Sequence, residues 1–475
     1  MSPSNVGLRS ERGPILLSLM LATALVALDS TIIATAVPSI VSGIGGFSEF
    51  PWLFSIYLLA QAVTVPIYGK LNDLFGRKPV ILYGIGVFLV GSVLCGFAWN
   101  MTVLIVFRLV QGLGAGAIQP TSITIVGDLY TVEERAKVQG YIASVWGMAS
   151  VIGPTLGGVF SEYISWRWIF FVNIPLCLIA AGMLIRSFHE KIERRRPDID
   201  YRGAATLTIG CSALILGVLE GGQSWAWLSL PGLGVPAIGL LLIVAFVLIE
   251  RRVNAPVLPL WVFSRRLLLT SSLASAGVGA MVLGLTSYVP TYVQDVLGHG
   301  PLVAGLALAT LTLGWPVSAS QAGRIYLRIG FRKCALIGCV PILVGTALLL
   351  TLNGQSNVGQ VAVFCFIIGL GMGLVAAPTL IAAQASVGWS ERGVVTGNNL
   401  FCRSLGSALG VAVFGAIANA TLDHGRGRSE LTHATQHVYL AVLVVAVSTI
   451  LAVVAMPNAL ATKAPPASEP VAEPA

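Results

Sequence analysis

The chain has 475 residues, of which 56% are hydrophobic and only 10% charged, and its formal net charge is +8. Soluble domains carry about 25% charged residues, so the polar surface of a water-soluble globule is missing. The basic residues lie in short segments between apolar runs, which excludes the clustered patch of a nucleic-acid binder. Cys95, Cys177, Cys211, Cys334, Cys339, Cys365 and Cys402 all fall in apolar stretches without metal-type spacing, so they are expected to be buried free thiols.

A membrane span needs about 20 apolar residues. Fourteen candidate spans follow one another near 14–38, 51–69, 79–98, 101–126, 137–160, 167–186, 203–220, 232–250, 267–290, 301–321, 333–352, 358–384, 395–419 and 437–456. The first follows Arg9 and Arg12, outruns the roughly 7–15-residue core of a signal peptide and contains Asp29, so it is expected to stay as a span. Between the second and third spans lies Gly69-Lys70-Leu71-Asn72-Asp73-Leu74-Phe75-Gly76-Arg77-Lys78, a basic, glycine-punctuated tight turn. Residues 187–202 form a charged connector with Glu190, Lys191, Glu193, Arg194, Arg195, Arg196, Asp198 and Asp200.

The turn returns in degraded form as Gly323-Arg324-Ile325-Tyr326-Leu327-Arg328-Ile329-Gly330-Phe331-Arg332-Lys333. Likewise Gly112-Leu113-Gly114-x-Gly116 returns as Gly369-Leu370-Gly371-x-Gly373, and Glu134-Arg135-x-x-Val138-x-Gly140 as Glu391-Arg392-x-x-Val395-x-Gly397. Spans 1–6 therefore correspond to spans 9–14, with spans 7–8 inserted between them. The expectation is an all-α membrane protein of fourteen transmembrane helices, two six-helix bundles plus two inserted helices. Its parts are an N-terminal bundle over 1–186, the connector with the inserted helices over 187–266, a C-terminal bundle over 267–461 and a disordered cytoplasmic tail over 462–475.

With both termini in the cytoplasm, charge bias supports this topology. Of the 28 Lys and Arg, only Arg167, Arg426 and Arg428 fall outside, and Arg108 and Arg403 fall within spans.

Four strings then carry a resemblance: Leu28-Asp29-Ser30-Thr31-Ile32-Ile33-Ala34-Thr35-Ala36-Val37-Pro38, the 69–78 turn, Arg108-Leu109-Val110-Gln111-Gly112-Leu113-Gly114-Ala115-Gly116 and Gly153-Pro154-Thr155-Leu156-Gly157-Gly158. In this order, and over nearly the whole chain, the sequence resembles the major facilitator superfamily, specifically its 14-span drug:proton antiporters of the multidrug-efflux type. Lesser matches are Trp166-Arg167-Trp168-Ile169-Phe170-x-x-Asn173-x-Pro175 and Gly397-Asn398-Asn399-x-x-x-Arg403-x-x-Gly406. The resemblance implies two bundles around a central cavity that opens to alternate sides.

Asp29 is the sharpest candidate. A carboxylate inside a span costs on the order of 3 kcal/mol even on a lenient scale, and Pro38 follows nine residues later, roughly 14 Å away along a helix, too far for an interfacial acid. Asp29 is expected to carry the coupling proton, with Arg108 as its partner. Conformational roles are expected for Gly69, Asp73, Gly76, Arg77, Asp128, Arg135, Gly153, Pro154, Gly157 and Gly158. Gly69 and Gly76 free the turn, Asp73 suits the positive end of a helix, which the resemblance places near Val394, and Arg77 is expected to pair with Asp128. Because Leu327 replaces the acid in the second copy, this closure is expected on one side only.

Substrate contacts are expected from Tyr57, Gln61, Gln111, Gln119, Tyr288, Tyr292, Asn399 and Arg403. Asp295 and Glu220 read as acids near span ends, and the spacing of His424, His433 and His437 fits no compact metal site. No catalytic constellation or Walker loop is visible, so neither an enzyme nor ATP as energy source is expected.

The reading is a proton-coupled exporter of drugs or other amphipathic small molecules in the inner membrane. It needs no cofactor beyond the proton gradient, and its partners are substrate, protons and lipid, with no nucleic acid; a monomer is expected. The alternative on the same fold is an exporter of one endogenous compound, such as a lipid, siderophore or secondary metabolite. A passive scaffold or sensor is disfavoured because an intramembrane Asp and Arg are costly to retain.

Overall fold

In a computed structural model, residues 7–46, 49, 52–190, 200–221, 225–226, 228–253, 256–422 and 428–458 are described. Lys191, Glu193, Arg194 to Arg196, Asp198, His424, Arg426 and the tail over 462–475 lie outside them.

The helices are α1 (Gly13–Ile44), α2 (Trp52–Phe75), α3 (Arg77–Gly96), α4 (Met101–Leu129), α5 (Val132–Tyr163), α6 (Trp168–Phe171), α7 (Asn173–Ser187) and α8 (Tyr201–Glu220). They continue as α9 (Leu230–Glu250), α10 (Trp261–Ser264), α11 (Arg266–Thr291), α12 (Pro301–Ile329), α13 (Phe331–Leu349), α14 (Val358–Ala385), α15 (Arg392–Leu422) and α16 (Arg428–Ala455). Among the described residues, 13 helices are long and apolar enough to cross a membrane. At the seventh expected span α8 is a 20-residue helix but is not one of these 13, so a count of fourteen is not shown among the described residues.

The first helix corrects its expected end. It runs through Pro38 to Ile44, since one proline removes a single backbone bond and the flanking turns persist. Asp29 thus lies mid-helix, roughly 23 Å from either end at 1.5 Å per residue.

Packing follows the sequence repeat. α1 packs on α5, α2 on α4 and α3 on α4; α11 packs on α15, α12 on α14 and α13 on α14 in the same arrangement. One core runs from Leu16 to Phe188 and another from Ala274 to Val453. The largest contacts between the two sets are α2 against α15 and α5 against α12, with α4 also meeting α15, while α8 packs on α9 and touches α2 and α15.

The two turn copies share one backbone. Gly76 has φ 88° and ψ 166°, and Gly330 has φ 88° and ψ 163°, a left-handed conformation that favours glycine. On α5, a methyl at Gly153 would stand 2.0 Å from Thr31 Oγ1, and one at Gly157 would stand 2.3 Å from the Ile32 carbonyl. These glycines let α5 approach α1 closely. Pro154 between them offers its carbonyl to the Thr35 hydroxyl at 3.3 Å. Gly158 faces open space instead, so close approach is not its role.

A Gly157→Val variant is therefore expected to overpack the α1–α5 contact, at a cost of about 1–3 kcal/mol. Six of the seven free cysteines are buried, so a thiol-reactive dye reports unfolding in detergent. Gly157→Val should melt several degrees below the parent and Gly158→Val close to it; equal midpoints would remove the steric role.

Candidate functional site

Two polar clusters stand out. The first is built inside α1, α3, α4 and α7. Asp29 and Arg108 are each 1% exposed, and Arg108 Nη1 donates to Asp29 Oδ2 at 2.5 Å. Gln111, one turn on from Arg108, donates Nε2 to Asp29 Oδ1 at 2.7 Å and to Ser92 Oγ at 2.8 Å, and its Oε1 accepts from Arg108 Nη1 at 2.7 Å. Asn173 Nδ2 reaches Asp29 Oδ1 at 3.5 Å and Ser92 Oγ at 3.4 Å. Arg108 Nε donates to the Leu53 carbonyl, and the guanidinium lies 4.1 Å from the Tyr57 ring centroid.

Each polar contact here has a physical cause. A lone charge in this apolar bundle is costly, whereas a hydrogen-bonded pair is tolerable. The helical spacing of Arg108 and Gln111 puts both on the face of α4 that meets α1. Ser92 and Asn173 were not singled out as members of this cluster from sequence; the only signal was the Asn173-x-Pro175 string.

The second cluster closes the bundle at the turn end. Asp73, near the end of α2, accepts from the Gly393 N–H at 2.9 Å and the Val394 N–H at 2.8 Å, at the start of α15. A carboxylate on exposed helix N–H groups is favourable there. Gly69 allows the approach, since a methyl on it would stand 2.8 Å from the Gly393 carbonyl.

Arg77, fully buried, ties this contact to the rest. It meets Asp73 at 3.2 Å and Asp128 at 2.8 Å, donates to the Asn72 and Trp389 carbonyls at 2.9 and 2.6 Å, and stacks 3.7 Å from the Trp389 ring centroid. Arg392 reaches Asp128 and the Gly127 carbonyl, both at 3.0 Å. Arg135 donates to the Tyr130 carbonyl at 2.9 Å and also to that of Gly127, so two cations stand at the C-terminal end of α4. Glu190 accepts from the Arg77 and Lys78 N–H groups at 2.8 and 3.0 Å. Burial pushes the Glu190 carboxyl up from its ordinary value, while these bonds and Arg77 pull the other way.

The second turn corrects the expectation of closure on one side only. Where the first copy uses Asp73 and Arg77, the second stacks Tyr326 on Phe331 at 4.8 Å, and the Tyr326 hydroxyl donates to the Val132 carbonyl at 2.8 Å. A phenol onto the start of α5 thus mirrors the acid onto the start of α15.

The expected substrate contacts separate. Tyr57, Gln111, Asn399 and Tyr292 are sealed from solvent. Gln111 belongs to the Asp29 cluster, Asn399 bonds the Ser271 carbonyl on α11, and Tyr292 bonds the Asn353 carbonyl and packs on Tyr439. In a span, a polar aromatic or amide reads alike from sequence whether it serves a core or a cavity. Gln61 and Gln119 are half-buried and paired at 3.2 Å. Tyr288 is half-buried between α11 and α15, and Arg403 is half-buried on α15. Asp295 is exposed in a π-helical turn after α11, Glu220 ends α8, and His433 and His437 are exposed on α16.

Removing one partner of a buried ion pair strands the other, at a cost of about 3–5 kcal/mol. Arg108→Ala should therefore melt well below the parent, and Asp29→Asn combined with Arg108→Gln should recover most of the loss. A double variant no better than the single would show that the charges do not compensate each other. At the other cluster, Asp73→Asn forfeits about 0.3–1 kcal/mol of helix-end attraction, more when partly buried. Cysteine probes introduced near Gly393 at the turn end should label faster in Asp73→Asn than in the parent. Equal rates would leave Asp73 without a closing role.

Residues 19–411 match the Major Facilitator Superfamily profile. The Multidrug transporter protein MdtP of Bacillus subtilis is 35% identical over 88% of this chain and 78% of its own length. Multidrug resistance protein 3 of the same organism is 34% identical over 85% of this chain and 79% of its own. The efflux pump FUS6 of Gibberella fujikuroi is 31% identical over 89% and 80%. Among solved structures, the human organic anion transporter MFSD10 aligns over 92% of this chain and 99% of its own with TM-score 0.65 at 16% identity, a likeness of fold.

Proposed function

The chain belongs to the major facilitator superfamily, and on that premise we propose that it is an efflux transporter of amphipathic small molecules driven by proton antiport. Its relatives' names as multidrug transporters and efflux pumps support export. The observation that carries proton coupling is Asp29, a carboxylate mid-helix at membrane depth whose charge is met by Arg108. Protonating that carboxylate removes the pair's attraction, and releasing the proton restores it, so proton occupancy and helix packing are linked there.

The turn-end cluster supports alternating access. In this conformation α2 and α15 are joined through Asp73, and α12 and α5 through Tyr326. Opening at that end breaks both joints, and a ligand or proton need shift the balance by only a few kcal/mol to exchange the populations. The topology that fits is fourteen spans, with α7 and α8 joined on the cytoplasmic side, both termini cytoplasmic and the 69–78 turn facing the cytoplasm of a cell membrane. On this reading the chain is one of the 14-span drug:proton antiporters. Spans 1–6 and 9–14 would be the moving bundles and α8–α9 an insert.

Inverted membrane vesicles with an imposed pH gradient test the reading, using a panel of anionic, neutral and cationic amphipathic dyes. Gradient-driven uptake of at least one dye is expected for the parent, with loss of uptake in Asp29→Asn at equal expression. Uphill transport retained by Asp29→Asn would sink the proton-carrier role of that residue, and no gradient dependence in the parent would sink antiport.

A further inference from the structure

Arg403 is the twelfth residue of the 31-residue α15, roughly 16 Å along it at 1.5 Å per residue. Among the described residues it has neither a hydrogen-bond nor an ion-pair partner for its guanidinium, although it lies at membrane depth. It is half-buried, and its nitrogens are not among the sealed unpaired atoms, unlike Nε of Arg332 and of Arg392. A guanidinium at this depth with no protein partner is costly against hydrocarbon, so it is tolerated where water or an anion can reach it.

The charge balance around Arg403 is one-sided. Asp29 and Arg108 neutralise each other in their sealed cluster. Every other Asp or Glu of the described residues lies within one turn of a helix end or in a connection. No carboxylate at depth therefore answers Arg403, and none is free to receive a cation. Beside it, Ser407 lies on the next turn, and the close α11–α15 approach at Gly279 fixes the backbone from which Arg403 projects.

We propose that Arg403 is an anion subsite of the transport cavity, and that the favoured substrates are amphipathic molecules carrying a carboxylate, sulfonate or phosphate. The guanidinium offers planar paired donors to such a group, and apolar groups of the surrounding helices take the remainder. This names the substrate class of the exporter proposed above and rests on that reading.

The test is binding to purified protein in detergent, without any gradient, of three probes sharing one ring: pyrenebutanoate, pyrenebutanol and pyrenebutyl-trimethylammonium. The parent should bind the carboxylate most tightly. Arg403→Ala should weaken carboxylate binding about 10- to 100-fold, the worth of a charge-assisted hydrogen bond, and leave the alcohol unchanged. Arg403→Lys should retain part of the preference, and matching melting curves for the variants exclude a folding defect. Equal carboxylate binding by Arg403→Ala, no carboxylate binding by the parent or a preference for the ammonium would overturn the subsite. Vesicle transport of the carboxylate separates the two readings, because a compound bound through Arg403 yet never moved would remove export and leave the subsite standing.

Discussion

A charge inside a bilayer has to be either neutralised or wetted, and the placement of this protein's ionic groups follows from that choice. Asp29 and Arg108 take the first route, sealed together with Gln111, Ser92 and Asn173 around them. Arg77 takes it too, at the membrane boundary, with Asp73, Asp128 and backbone carbonyls as partners. Arg403, without a hydrogen-bond or ion-pair partner among the described residues, is the group left to the second. The neutralised groups hold helices together and the unpartnered one is left to meet a solute. One constraint thus sorts scaffold from cavity.

The repeat imposes a second layer of order. Corresponding helices pair alike in the two halves, and both turns use the same glycine backbone. Yet their chemistry has diverged. An acid and a guanidinium close one joint, whereas a phenol and a stacked phenylalanine close the other. A neutral hydrogen bond is weaker than a charge-assisted one, so the joints differ in strength although they match in place.

What the sequence made legible depended on contrast. Asp29 and Arg108 stand out because a charge in an apolar run is conspicuous, and the glycine turns because they recur. Asp73 was placed near Val394 only through the family resemblance, since nothing local ties residue 73 to a helix more than 300 positions away. Glu190 and Trp389 were missed as members of the turn-end cluster because they come from connections and carry no periodic signal. Arg392, though the repeat copy of Arg135, was not joined to Asp128 because it lies in the other half. Tyr292 and Gln111 were read as cavity groups because their residue type fits a cavity, but packing placed them in a core and in an ionic cluster. The end of α1 was misjudged at Pro38 because a single proline is a weaker stop inside a bundle than in water.

The indole of Trp389 lies against the Arg77 guanidinium while its own carbonyl accepts from the same side chain. That indole belongs to the short turn leading into α15, the element that would part from α2 when the turn end opens. Tryptophan emission responds to a cation held over its ring and to the water that replaces it. With the chain's nine other tryptophans replaced, Trp389 would therefore serve as an optical gauge of this contact, with no attached label.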